Sequence, residues 1–121
     1  MKSIVGNKAY VFALQVVNTY KYLAQEQREF VLSKQFLRSG TAIGAMTREA
    51  EHAESKADFI HKMSIALKEA NETEYWLMLL RESGFLDDKS YQPIFQDCNE
   101  RIKMLVSIVK TSKKKSEHNE K

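Results

Sequence analysis

Residues 38–45 read Arg38-Ser39-Gly40-Thr41-Ala42-Ile43-Gly44-Ala45, placing two of the chain's four glycines four positions apart. The segments on either side, FVLSKQFL and MTREAEHA, have helical composition. A glycine inside a helix costs about 1 kcal/mol relative to alanine. Two on one face therefore need a return, and close packing against another backbone is the natural one. A phosphate loop is excluded, because no strand precedes the glycines and the helical pattern runs through them.

Working outward, apolar residues recur in steps of three and four across four segments, the spacing of one helical face. The first helix runs from Ile4 to Ala24, with a stripe Val5, Ala9, Phe12, Val16, Thr19, Leu23. A second stripe beside it, Tyr10, Ala13, Val17, Tyr20 and Ala24, makes this apolar face wider than one bundle seam needs. The second helix spans about Arg28 to Ala53, with Phe36, Gly40, Ile43, Thr47 and Ala50 inward.

The third helix opens at Ser55, where the Ser-Lys-Ala-Asp run reads as a capping box with Asp58. Its stripe is Phe59, Met63, Ala66, Ala70, Thr73, Leu77 and Leu80, and Gly84 before Phe85 and Leu86 reads as a left-handed stop. The fourth helix begins near Asp87–Ser90, with Pro93 in or near its first turn and Tyr91, Phe95, Cys98, Ile102, Leu105 and Val109 inward. Short connections force antiparallel neighbours, so the expected fold is all-α, an antiparallel up-down-up-down four-helix bundle over residues 1–112. Residues 113–121 are expected to form a basic, disordered C-terminal tail.

Composition bounds the function. At 121 residues the chain is one domain with a real core. A single cysteine rules out an intrachain disulfide and a cysteine zinc site. The MKSIVGNKAYVF start breaks its apolar run at Asn7 and Lys8, unlike a signal peptide, and the run Tyr75–Leu80 is too short to span a bilayer. A cytoplasmic protein without membrane contact is expected. The net charge of +3 is concentrated at the end: residues 105–121 hold five lysines against two glutamates.

Catalytic and metal chemistry fare badly. Glu49 with His52, and Asp58 with His61, have the i, i+3 spacing of di-iron bundles, but both pairs lie at the turn between the second and third helices. The nearby half of the first helix has no acid, since the first in the chain is Glu26, and the fourth helix offers only Glu117 and Glu120 there. No four-carboxylate site assembles within one chain. Cys98 lies in the core stripe with no histidine to activate it, and Ser39 and Thr41 lack a base. The expectation is no enzyme, no metal and no cofactor.

The segment YWLMLL, residues 75–80, is apolar on all sides, which leaves Trp76 and Leu79 facing outward beside Tyr75. With Tyr10 and Val17 of the first helix they form the candidate oligomer interface. Folding the third helix back on the second sets Gly40 opposite Lys68 and Gly44 opposite Ser64, near the small Ala66 and Ala70. The alternative is that the glycines receive knobs such as Phe12 from the first helix, or from another subunit.

The stretch LRSGTAIGAMTREAEHAESKADFIHKMSIALKEANETEYWLMLLRESG closely resembles the four-helix-bundle family encoded in intervening sequences of bacterial large-subunit ribosomal RNA genes. The family's L-R-S-G-T-S-I-G-A-N, E-A, S-x-x-D-F and K-E-x-x-E-T-x-Y-W-L pattern is met here by Arg38, Ser39, Gly40, Thr41, Ile43 and Gly44, by Glu49 and Ala50, by Ser55, Asp58 and Phe59, and by Lys68, Glu69, Glu72, Thr73, Tyr75, Trp76 and Leu77. Met46 stands where the family's asparagine is usual. The resemblance implies a ring-like homo-oligomer, a pentamer, and extends to the accessory protein of diversity-generating retroelements, a basic bundle thought to bind nucleic acid.

The expectation is thus a non-catalytic homo-oligomeric bundle that binds nucleic acid, RNA ahead of DNA, through Lys110, Lys113, Lys114 and Lys115, with Arg38 and Lys34 as weaker contributors. The rival is a scaffold that binds a protein partner and has no nucleic-acid role.

Overall fold

The computed structural model describes residues 4–119. It contains four helices: α1 (Ile4–Gln25), α2 (Leu32–Glu51), α3 (Lys56–Glu82) and α4 (Asp88–Asn119). Each packs on its neighbours in the cycle α1–α2–α3–α4–α1, and among the described residues the backbones of diagonal pairs stay more than 8 Å apart. Contacts run in opposite order along every adjacent pair. Gly40 meets Val16 and Gly44 meets Ala9; Arg38 meets Glu72 and Lys62 meets Glu49. Likewise Cys98 meets Ala70 and Asp88 meets Arg81, while Lys8 meets Glu100 and Gln15 meets Asp97. The bundle is up-down-up-down.

The inward stripes supply the core. Phe12, Val16 and Leu23 of α1 join Phe36 and Ile43 of α2, Met63, Leu77 and Leu80 of α3, and Cys98 and Leu105 of α4 at full or near-full burial. Met46, in place of the family's asparagine, packs its half-buried side chain against this core.

The helix ends follow their local chemistry with one departure. Ser55 caps α3 by accepting the Asp58 N–H at 3.0 Å, and the Asp58 carboxylate accepts from Glu54 N rather than Ser55 N. Gly84 takes φ +85°, where an L side chain is strained. There Phe85 N–H donates to the Leu80 carbonyl (2.9 Å) and Gly84 N–H to the Arg81 carbonyl (3.0 Å), closing α3 with a Schellman motif. Pro93 lies in the second turn of α4, where its missing N–H costs one bond near an exposed helix start.

The departure is α2, which starts at Leu32, four residues after Arg28. Arg28 adopts φ +56° and breaks the helical path. Val31 at the N-cap position makes no side-chain cap. Glu29 does that work instead: its carboxylate accepts the N–H groups of Val31 (3.2 Å), Leu32 (3.0 Å) and Ser33 (2.7 Å). Burial pushes its pKa up, but these three backbone donors and the Ser33 hydroxyl outweigh it and leave the carboxyl below its ordinary range.

At the other end, α4 continues past residue 112 to Asn119, so Lys113, Lys114 and Lys115 are helical rather than part of a disordered tail. Lysine is a good helix former, and cations suit a helix C-terminus, so the chain has no local reason to stop earlier. Residues 120 and 121 of the expected tail lie outside the described residues.

The glycine question also has an answer. A Cβ on Gly40 would stand 2.7 Å from both methyls of Val16 and 3.2 Å from its Cβ, while one on Gly44 would meet the Ala9 carbonyl oxygen at 3.5 Å. Both glycines therefore serve the α1–α2 seam, not the facing stripe of α3. The knob is Val16 rather than Phe12. Ala66 and Ala70 are fully buried on α3, and Ala70 accepts from Cys98 of α4 at 3.5 Å. The two sets of small residues belong to different seams.

Candidate nucleic-acid interface

Lys110, Lys113, Lys114 and Lys115 are all exposed on the C-terminal part of α4, and none is ion-paired to a described residue. A helix turns 100° per residue, so Lys103, Lys110 and Lys114 share one line opposite the buried Cys98, Leu105 and Val109. Lys103 is exposed and likewise unpaired among described residues. Sequence reading missed it, although the seven- and four-residue spacing was visible. Lys113 and Lys115 flank the line on either side. The acids of the preceding turns are already occupied: Glu100 is 2.9 Å from Lys8 and 3.1 Å from Arg101, and Asp97 accepts from Gln15 at 2.7 Å. The Lys8 ammonium hydrogen-bonds Glu100 and, with Arg101, holds its carboxyl below the ordinary range.

Arg38 does not join this line. Its guanidinium bonds Glu69 (3.2 and 3.3 Å) and also Glu72, which raises the arginine pKa and spends its charge within the bundle. Burial lifts the Glu72 carboxyl, but Arg38 and then the Trp76 indole overcome that and lower it. Beneath this cluster, Thr73 Oγ1 lies 2.9 Å from Ser39 Oγ and 2.8 Å from the Glu69 carbonyl, both hydroxyls being fully buried. Arg38, Ser39, Glu69, Glu72 and Thr73 thus form a clamp between α2 and α3. Lys34 is exposed near the start of α2, at the end of the bundle remote from Lys110–Lys115. The structure does not bring Arg38 or Lys34 to the α4 lysines.

Two apolar faces remain uncovered. On α1, Tyr10 (57% exposed), Val11, Leu14 and Ile4 point outward, with Val17 half-buried at their edge. On the diagonal helix α3, Tyr75 (56% exposed) and Met78 face outward, whereas Trp76 and Leu79 are half-buried. This corrects the expected orientation of YWLMLL. The buried positions Thr73, Leu77 and Leu80 fix the phase of α3, which puts Tyr75 and Met78 opposite the core and Trp76 and Leu79 on its flank. Trp76 packs against the core, 3.4 Å from Glu72 through its indole N–H, with Tyr75 edge-on at 5.1 Å.

The acids of the two pairs at the α2–α3 turn are held within the bundle: Glu49 is bonded to Lys62 at 2.9 Å and Asp58 accepts from Glu54 N at 3.3 Å. No group of three metal-ligating side chains occurs among the described residues. No helix among them is long and apolar enough to cross a membrane.

A comparison with curated protein sequences finds no match. The chain is similar to a crystallographically solved protein of unknown function, from the S23 ribosomal protein family of Bacteroides thetaiotaomicron. Identity is 56% over 88% of this chain and 99% of that one, with a TM-score of 0.87. The model of the 23S rRNA-intervening sequence protein family matches residues 1–107, ending just before Lys110. With that match spanning all but the last turns of α4, the chain belongs to the 23S rRNA-intervening sequence protein family.

Proposed function

We propose that this chain is a non-catalytic, cytoplasmic, homo-oligomeric bundle that binds nucleic acid, RNA in preference to DNA, through its phosphates. The observation that carries the reading is the lysine line of α4, unpaired among the described residues: Lys103, Lys110 and Lys114, flanked by Lys113 and Lys115. Lys114 stands eleven helical steps beyond Lys103, about 16 Å at the helical rise, a length that covers several phosphates of a strand. Lys8 and Arg101 neutralise Glu100, and α4 carries no acid between Glu100 and Glu117.

Two uncovered apolar faces on diagonal helices support the oligomer. Pairing one face with its own copy makes a dimer and leaves the other bare. Joining the α1 face of one copy to the α3 face of the next uses both, and such a head-to-tail contact closes into a ring when its rotation divides a full turn. Five subunits is the number that the family resemblance implies. Such a ring repeats the α4 lysines around its axis, raising a modest charge per subunit to a concentrated one.

The test is a salt titration of binding to random-sequence RNA and to duplex DNA, with native mass measured on the same sample. Each neutralised phosphate steepens the slope of log K against log salt by about 0.9 for a duplex and 0.7 for a single strand. Changing Lys110, Lys113, Lys114 and Lys115 to glutamine flattens that slope. Absence of binding at low salt, or binding indifferent to the four changes, refutes the reading. In that event the uncovered Tyr75–Met78 face favours the second one, a scaffold for a protein partner.

A further inference from the structure

The buried stripe of α4 ends before the helix does. Tyr91, Ile94, Cys98, Leu105 and Val109 face the core, and the next positions in phase are Ser112 and Ser116, both half-buried. No apolar residue follows Val109 in α4. The register of α4 on α3 marks nearly the same boundary. Cys98 meets the Ala70 carbonyl, so Lys56, the first residue of α3, stands level with Ser112. Past that level α4 lies beside the α2–α3 turn rather than along α3.

Charge divides there too. The net charge of the chain is +3, and residues 108–121, with five lysines against two glutamates, supply all of it. In residues 1–107 the other fourteen Lys and Arg balance fourteen Asp and Glu. Residue 107 is also where the family match stops. The solved relative fits this division, since 99% of that chain aligns with only 88% of this one. An all-polar helix end buries no apolar side chain and so adds little to the stability of the bundle. What it adds is a field: a formally neutral body gathers no anions from a distance, and a cationic projection does.

We infer that the end of α4 past residue 107 is an added binding element, separable from the bundle that carries it. Residues 1–107 make the fold and its assembly, and the exposed Lys110, Lys113 and Lys114 supply the affinity for a phosphate backbone. The inference rests on the nucleic-acid reading above and assigns its two halves, assembly and binding, to two different stretches of the chain.

The experiment compares full-length variants of matched charge, using a labelled 12-nucleotide single-stranded RNA of mixed sequence read by fluorescence anisotropy. One variant changes Lys110, Lys113 and Lys114 to glutamine. The other changes Lys21, Lys68 and Lys89, which are exposed, outside every ion pair among the described residues and within the neutral part. Both lose three charges. The first should flatten the slope of log K against log salt by about 2, three phosphates at about 0.7 each, and the second should leave it unchanged. Native mass should be that of the unsubstituted chain in both. A second pair reads the opposite sign and disturbs no cation. Glu117→Gln should tighten binding about twofold, the Coulomb effect of one charge about 8 Å away in water, and Glu26→Gln, at the remote end of the bundle, should not. Equal weakening by the two lysine variants overturns the added element and leaves the electrostatic reading standing, because binding then follows the charge of the whole molecule. A changed native mass in the Lys110, Lys113 and Lys114 variant overturns the separation of assembly from binding. Failure of the unsubstituted chain to bind at low salt removes the electrostatic reading, and the added element with it.

Discussion

Helix α1 meets its two neighbours in opposite ways. Against α2 the seam is made of absence: Gly40 has no side chain because the two Val16 methyls occupy its place, and Gly44 lies close to the Ala9 backbone. Against α4 the seam is made of partners. Arg101 is almost wholly buried, its Nε donating to the Lys8 carbonyl at 3.2 Å and its guanidinium lying 5.8 Å from the Phe12 ring. Lys8 pairs with Glu100, and Gln15 donates to Asp97 while its Oε1 has no partner among the described residues. A seam set by shape has one register and a steep penalty for any added atom. A seam set by polar partners is looser, and each of its bonds exchanges a contact with water for one within the protein, so the net gain is small.

The largest expected effect follows from the first seam. Gly40→Leu should destabilise by about 3 kcal/mol, since overpacking a filled site forces backbone movement. Valine is stiff about χ1, and both of its methyls are involved, so no rotamer of Val16 opens the space. Gly40→Ala should cost about 1 kcal/mol after its gain in helix propensity. Val16→Ala in that background should return the loss, a coupling that denaturant melts of the double-mutant cycle can measure. A Gly40→Leu protein with unchanged melting temperature and oligomer mass breaks the account of the seam.

The second seam should yield less. Arg101→Met retains the stem that covers Phe12 and removes the hydrogen bonds, for a loss of about 1–2 kcal/mol in the same melts. A cost equal to that of Gly40→Leu would erase the contrast between the seams.

Glu29→Gln should cost about 1 kcal/mol at neutral pH, the usual worth of an N-cap. Its pH dependence carries the sharper signature. The folded carboxyl titrates below its ordinary value of 4.5, so its contribution is complete above that value and is lost as pH falls through the lower folded one. Acid titration of stability should therefore be shallower in Glu29→Gln than in the native chain, and identical curves would remove the cap from the account.

The smallest effect is also the one of opposite sign. At Gly44 the nearest atom to an added Cβ is 3.5 Å away, an ordinary contact, and the helix gains from alanine. Gly44→Ala should raise stability by about 0.5–1 kcal/mol. Two glycines four residues apart are thus predicted to respond in opposite directions to the same change.

Much of this was legible in the sequence. The stripes through Phe12, Phe36, Leu77 and Cys98 gave the four helices and their inward faces, because burial repeats with the helical period. Ser55 and Gly84 marked their helix ends through local hydrogen bonding alone. The start of α2 was hidden, since Glu29 caps from two residues before the N-cap position and depends on the unusual conformation at Arg28. Which seam the glycines serve was hidden too, for a wheel gives a direction within a helix but not the height of the neighbour that fills it. At the candidate site, the lysines of α4 were visible as charge, whereas the loss of Arg38 to Glu69 and Glu72 needed the register of α2 on α3.

Cys98 has a practical consequence. Its sulfur sits fully buried between α3 and α4, and burial, with the charge of Glu74 adding to it, drives the thiol pKa up to about 12. At neutral pH such a sulfur is neither reachable nor ionised, so a thiol reagent can label it only while those two helices part. The chain thereby carries a single built-in stopwatch. In excess reagent the rate of labelling counts the openings of the α3–α4 seam.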